Sequence, residues 1–255
     1  SFFMINFIVK KNGLSKDNGY AIFFYLLFLL IFPTIFNNTN VIYASFFILL
    51  ALRRLISLQS LKASKEKIFD ASFWIFVASL FQFWSILFVI LVFISIVFHV
   101  SRDYRNWVLP FIALLAVAIL FYMTSLIFNI DAAAFFQERA VIDFRIDYFK
   151  NNYENGALSI YTAIALFFVT SMLMTLSNRP QILHSSYKKI VACFFIAVIV
   201  YIVSPNKSND LLLFSIAPLA IMATSHVEYM QQKLNNEIVF YVLIACSLFT
   251  FFSQL

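Results

Sequence analysis

Long apolar runs broken by short polar stretches set the pattern of this chain. After a first stretch over residues 1–9, the runs cover 19–36, 40–58, 71–97, 107–128, 157–176, 190–204, 211–225 and 238–252. Most approach the ~20 residues that a helix needs to cross a bilayer core of roughly 30 Å. The runs are continuously apolar, which excludes the alternating polarity of outer-membrane strands. A helix is the element that satisfies its own backbone in hydrocarbon. The pattern therefore predicts an all-α, polytopic transmembrane helical bundle of about eight spanning or half-spanning segments, forming a single domain over residues 1–255. A truncated N-terminal helix precedes them, because residues 1–9 are too short to cross and begin Ser1-Phe2-Phe3 without an initiator methionine.

The run over 71–97 has two solutions. At ~1.5 Å per residue a single helix would be long and tilted. Two half-length helices would instead return the chain to its starting side. The distribution of Lys and Arg favours the return, which places 14 basic residues at one end of the bundle and 4 at the other, whereas a single crossing splits them 12 to 6. Against it, Leu80-Phe81-Gln82-Phe83-Trp84-Ser85 contains no Gly or Pro to make a turn. On the returning topology the positive-inside rule puts Lys10, Lys11 and Lys16 in the cytoplasm, together with residues 53–70, 101–105, 178–189 and 226–237. The connections 37–39, 129–155 and 205–210 face the other side. Of these, 129–155 is an extramembrane or interfacial loop, in which Ile142, Phe144, Ile146 and Tyr148 alternate with Asp143, Arg145 and Asp147 as in an extended strand.

Composition agrees with a lipid solvent: 63% of residues are hydrophobic and 12% charged, against about 45–50% and 25% in soluble domains. The Phe, Ile, Asn and Lys bias suits an AT-rich bacterial genome, so the expected location is the bacterial inner membrane. The net charge of +6 is spread over several short loops, which argues for membrane topology and against nucleic acid. Only Gly13, Gly19 and Gly156 are present, too few for a glycine-rich phosphate loop. Cys193 and Cys246 sit in apolar runs and read as packing residues, and His99, His184 and His226 lack metal-ligand spacing. No metal, cofactor or hydrolase motif is found, and catalytic residues are unassigned.

The expected chemistry is therefore modest. Every Asp, Glu, Lys and Arg can be placed in a loop or at a helix end, where none suffers mid-membrane desolvation. Trp74 and Trp107 read as interfacial belt residues. Gln82, Ser85, Ser95, Thr124, Ser125, Thr162, Thr170 and Thr175 either bond helix to helix or line a path for a neutral solute. Arg53 and Arg54, with Arg102 and Arg105, are candidates for an anionic headgroup site on the cytoplasmic face. Lys207, the base in the connection 205–210, is a candidate for a lipid-linked phosphate, with a solvated turn as the plainer alternative.

The strings Asn6-Phe7-Ile8-Val9-Lys10-Lys11-Asn12-Gly13-Leu14, Leu52-Arg53-Arg54-Leu55-Ile56-Ser57-Leu58, Lys67-Ile68-Phe69-Asp70-Ala71-Ser72, Asp103-Tyr104-Arg105-Asn106-Trp107 and Ser204-Pro205-Asn206-Lys207 resemble an uncharacterised Bacteroidota family of polytopic inner-membrane proteins, classed only as a domain of unknown function. The resemblance implies location and topology but no reaction. A fainter similarity, in the long run 71–97 followed by a basic loop, is to membrane glycosyltransferases using polyprenyl-phosphate sugars. Those enzymes need an acid at the outer end of an early helix, where this chain has Asn37-Asn38-Thr39. The leading expectation is a non-catalytic subunit of a cell-envelope membrane complex, with membrane lipids and other membrane-protein subunits as partners. The alternatives are a glycosyltransferase-like enzyme acting on a lipid-linked sugar, or a carrier of lipid or neutral solute.

Overall fold

The apolar runs become helices, and the contacts between their connections sort the helix ends into two groups. The computed structural model describes residues 1–16, 19–144, 152–205, 207–229 and 233–254, among which no strand occurs. The helices are α1 (Phe2–Lys11), α2 (Tyr20–Leu30), α3 (Thr39–Ser57), α4 (Ser64–Phe81), α5 (Val89–His99), α6 (Arg105–Phe128), α7 (Ala132–Arg139), α8 (Asn152–Thr175), α9 (Gln181–Val203), α10 (Leu213–Tyr229) and α11 (Lys233–Gln254). Six helical stretches are long and apolar enough to cross a membrane, and the short apolar helices Tyr20–Leu30 and Phe83–His99 add to them. The chain is thus a multi-pass helical membrane protein.

The run 71–97 takes the returning form. Helix α4 ends at Phe81, Gln82 adopts an extended conformation, and a 3-10 turn over Phe83–Phe88 leads into α5. No Gly or Pro is needed, because an extended Gln with φ −129° is unstrained. The return is fixed at its base by an ion pair of 3.3 Å between Lys65 and Asp103. Ser185 Oγ lies 3.2 Å from His99 Nε2 at the same end. The connections expected to share a side do so: 53–70, 101–105 and 178–189 gather at one end, here called the basic end.

At the opposite, neutral end, Asn38 accepts the Val41 N–H as the N-cap of α3 and donates its Nδ2 to Asp210 Oδ2 at 2.7 Å. The turn 205–210 is not a solvated cap as the plainer alternative had it, since Lys207, Asn209 and Asp210 are all buried. Asn38→Ala would remove a helix cap and the partner of a buried carboxylate together. We expect a loss of about 2 kcal/mol, seen as a lowered thermal midpoint in detergent.

The core is built around α10, in which every residue from Leu213 to Val227 is buried. It packs against α2, α8, α9 and α3. Aromatic rings fill the space around α8: Phe24 and Phe28 of α2 lie about 6.3 Å from Phe168, and Phe32 lies 5.1 Å from Tyr161. Peripheral helices behave oppositely. Along α6 only Asn106, Pro110, Ala113, Val117 and Ser125 are buried, a narrow seam that meets α4 and leaves the other faces to lipid. Trp74 stacks on Phe47 at 5.5 Å between α3 and α4.

In the connection 129–155, Asp131 caps the short helix α7 by accepting the N–H groups of Ala133 and Ala134. Asp143 N–H donates to Val203 O at 3.3 Å, tying this connection to the end of α9. The remainder of the alternating stretch, including Arg145, Ile146, Asp147 and Tyr148, lies outside the described residues.

Candidate functional site

The C-terminus of α3 organises the basic end. The last carbonyls of a helix lack intrahelical donors and carry the negative end of its dipole, so cations collect there. Two lysines from other helices do so: Lys189 Nζ donates to Leu55 O at 2.6 Å, and Lys67 Nζ donates to Ser57 O at 2.8 Å and Ser60 Oγ at 2.7 Å. Lys189 corrects an expectation. It lies inside α9 rather than in a loop, with 0% of its surface exposed. The adjoining turn is tight, with Leu61 at φ 55° and Ala63 at φ 50°, both left-handed without being glycine. Such strain persists only where the surroundings hold it. Lys62 stands between them.

Beside this turn lies a cavity of about 550 Å³ whose wall includes Lys11, Arg53, Arg54, Lys62 and Lys67 with Asn12, Ser57, Gln59 and Ser60. Its described lining holds no acidic residue. Arg54 is paired with Asp70 at 2.7 Å. The Arg53 guanidinium and the Lys11 ammonium both lie over the Phe7 ring, at 4.5 Å and 5.1 Å from its centroid, which positions both without neutralising either. The Lys67 ammonium, ahead of the apolar run, is pushed below its usual pKa by burial first and then by Arg54, Lys11 and Lys62. Like charges held together in this way favour an anion between them. Gln59 closes the rim by accepting from Ser186 Oγ and donating to Ile182 O at 2.8 Å.

Of the residues singled out from sequence, the structure therefore joins Arg53 and Arg54 with Lys11, Lys62 and Lys67. It does not add Arg102 or Arg105 to the cavity wall. The Arg105 guanidinium lies 5.9 Å from the ring of Tyr104, and its backbone N–H donates to Asp103, which with Lys65 holds that carboxyl below its usual pKa. Lys207 sits at the neutral end and donates to Asp143 O. It also borders an apolar cavity of about 490 Å³ between α8 and α9.

Sequence reasoning missed a second buried polar group at the basic end. Arg179 donates to Ser225 Oγ and Ser225 O and lies over the rings of Tyr187 and Tyr229. His226 is hydrogen-bonded with Ser171 Oγ and packed by Phe167 and Phe168. Tyr187 donates to Leu14 O at 2.8 Å, tying α9 to the chain after α1. The signal was Arg179-Pro180 ahead of an apolar helix, which reads equally well as a loop. Among the described residues no cluster of three His, Cys, Asp or Glu could hold a metal ion. Both cysteines are free thiols.

Comparison with known proteins adds a family and no activity. No curated protein and no solved structure matches the chain. A family profile described as "Family of unknown function (DUF6427)" matches residues 1–255, so the chain belongs to that family over its whole length.

Proposed function

We propose that this protein is a non-catalytic subunit of a bacterial inner-membrane assembly whose cytoplasmic basic cavity binds an anionic, phosphate-bearing group. The cavity carries the reading: five cations share one wall, and Asp70 offsets only Arg54. Arg53 and Arg54 supply forked donors suited to phosphate, while Lys11 and Lys62 add compact point charges. A non-catalytic role is supported by the use made of the buried polar side chains. Lys189, Arg179 and His226 are each held by backbone carbonyls or hydroxyls of a neighbouring helix.

The test is native mass spectrometry of the protein in mild detergent with dioctanoyl phosphatidylglycerol, dioctanoyl phosphatidylcholine and inorganic phosphate. Phosphatidylglycerol or phosphate should bind at least about tenfold more tightly than phosphatidylcholine, and the combined Lys11→Gln, Arg53→Gln and Lys62→Gln substitutions should erase that preference. Preference for the lipid over inorganic phosphate identifies a headgroup. Equal binding by wild type and variant would remove the proposal. The subunit role is tested by co-purification, where a monomer with no stable partner counts against it.

A second reading, a handler of a lipid-linked substrate as enzyme or carrier, draws on the apolar cavity that Lys207 borders. Normal glycan production and lipid movement in a Lys207→Ala strain would exclude it.

A further inference from the structure

The neutral end of the bundle holds two adjoining cavities of opposite character. The first, of about 370 Å³, is apolar and lies between the end of α4, the turn Phe83–Phe88 and α6, with Leu80, Val117, Phe121 and Phe136 in its wall. Helix α7 roofs it: the Phe136 ring stands 5.1 Å from Phe121 and 6.4 Å from Phe83. The second, of about 280 Å³, is lined by Asn38, Asn40, Gln82, Glu138, Arg139 and Ser208 among others. Phe83 belongs to both walls. Such a junction fits an amphiphile, with a chain on the lipid side and a headgroup on the polar side.

The charges say which headgroup. Glu138 and Arg139 are consecutive and form no ion pair with each other among the described residues, because neighbours on a helix point apart. Arg139 Nη1 donates to Leu80 O at 2.7 Å and its guanidinium lies 3.9 Å from the Phe135 ring centroid. That anchors the fork and leaves further N–H groups directed elsewhere. The remaining polar wall is amide and hydroxyl. We propose that this pair of cavities binds a phospholipid with a zwitterionic phosphoethanolamine headgroup, its phosphate on Arg139 and its ammonium on Glu138. A net-anionic head would face Glu138 uncompensated, and a neutral sugar would leave both charges without a counterpart. The site stands apart from the basic cavity and does not depend on it.

Native mass spectrometry of the purified protein with dioctanoyl lipids tests this. Phosphatidylethanolamine should bind about tenfold more tightly than phosphatidylglycerol or a monoglycosyl diacylglycerol of the same chain length at this site. Glu138 is exposed, so Glu138→Gln keeps the fold and should remove that preference. Ala118 is exposed on the wall of the apolar cavity, and Ala118→Phe should fill it and weaken every lipid there by a similar factor. The preference should survive the triple Lys11, Arg53 and Lys62 substitution, which separates this site from the basic one. Equal binding of all three lipids would show ordinary boundary lipid, and a preference for the glycolipid or for phosphatidylglycerol would refute the headgroup assignment. So would an unchanged preference in Glu138→Gln.

Discussion

A Lys189→Glu chain should fail to accumulate in the membrane, while Lys189→Met should accumulate at close to the wild-type level. The lysine ammonium is fully buried and spends its proton on Leu55 O near the end of α3. A glutamate there would set one acceptor against another at the negative end of a helix dipole, and Lys67, the cation that acts on this position, is already bonded to Ser57 O and Ser60 Oγ. Desolvation of an unpaired carboxylate costs several kcal/mol, comparable with the ~3–5 kcal/mol lost when a buried pair is broken. Methionine keeps the length of the side chain and removes the charge that had to be desolvated. It forfeits one charge-assisted hydrogen bond, about 1.5–3 kcal/mol, and recovers much of that from the avoided desolvation. Leu55 O also accepts a backbone N–H from Leu58, so it is not orphaned. Quantitative immunoblotting of membranes and size-exclusion profiles in detergent would check both variants. An abundant, monodisperse Lys189→Glu protein would mean that this side chain reaches water.

The second large effect is expected at Ala220. It has no exposed surface and lies on α10, which is enclosed on all sides. Ala220→Phe adds a ring where packing is complete and should lower stability by about 3 kcal/mol or more, at the upper end of the usual cost of overpacking. Leu115→Phe is the control. Leu115 is 62% exposed on α6, and enlarging it there should shift the thermal midpoint hardly at all. Similar effects of the two changes would show that α10 is not central.

The apolar runs were enough to foretell the helices, because continuous hydrophobicity of membrane length admits only one kind of element. The return of 71–97 was legible through charge alone, since the hinge residue Gln82 carries no turn signature. Lys189 was placed in a loop because a lysine marked the boundary of the apolar run. Helix α9 in fact starts at Gln181, and its lysine is tolerated only because α3 ends beside it. That neighbour is remote in sequence. The basic cavity was half legible for the same reason. Arg53 and Arg54 stood out by adjacency to an apolar run, whereas Lys11, Lys62 and Lys67 join them through the packing of α1 and α4 on α3. Arg102 and Arg105 were drawn in by type and not by place. Helix α7 had a readable start in Asp131 followed by three alanines, but attention to the alternation downstream hid it.

The enclosure of α10 also bears on how the chain is made. Helices α2, α3, α8 and α9, which surround it, all leave the ribosome first, and the slot between them must stay open until α10 arrives. With its two serines, a threonine, a histidine and Pro218 along the buried stretch, α10 is poorly suited to waiting alone in lipid. The arrival of α10 therefore drives a wedge between helices already in place, and a chain stopped just after residue 205 is expected to be hollow, loosely associated and quickly destroyed.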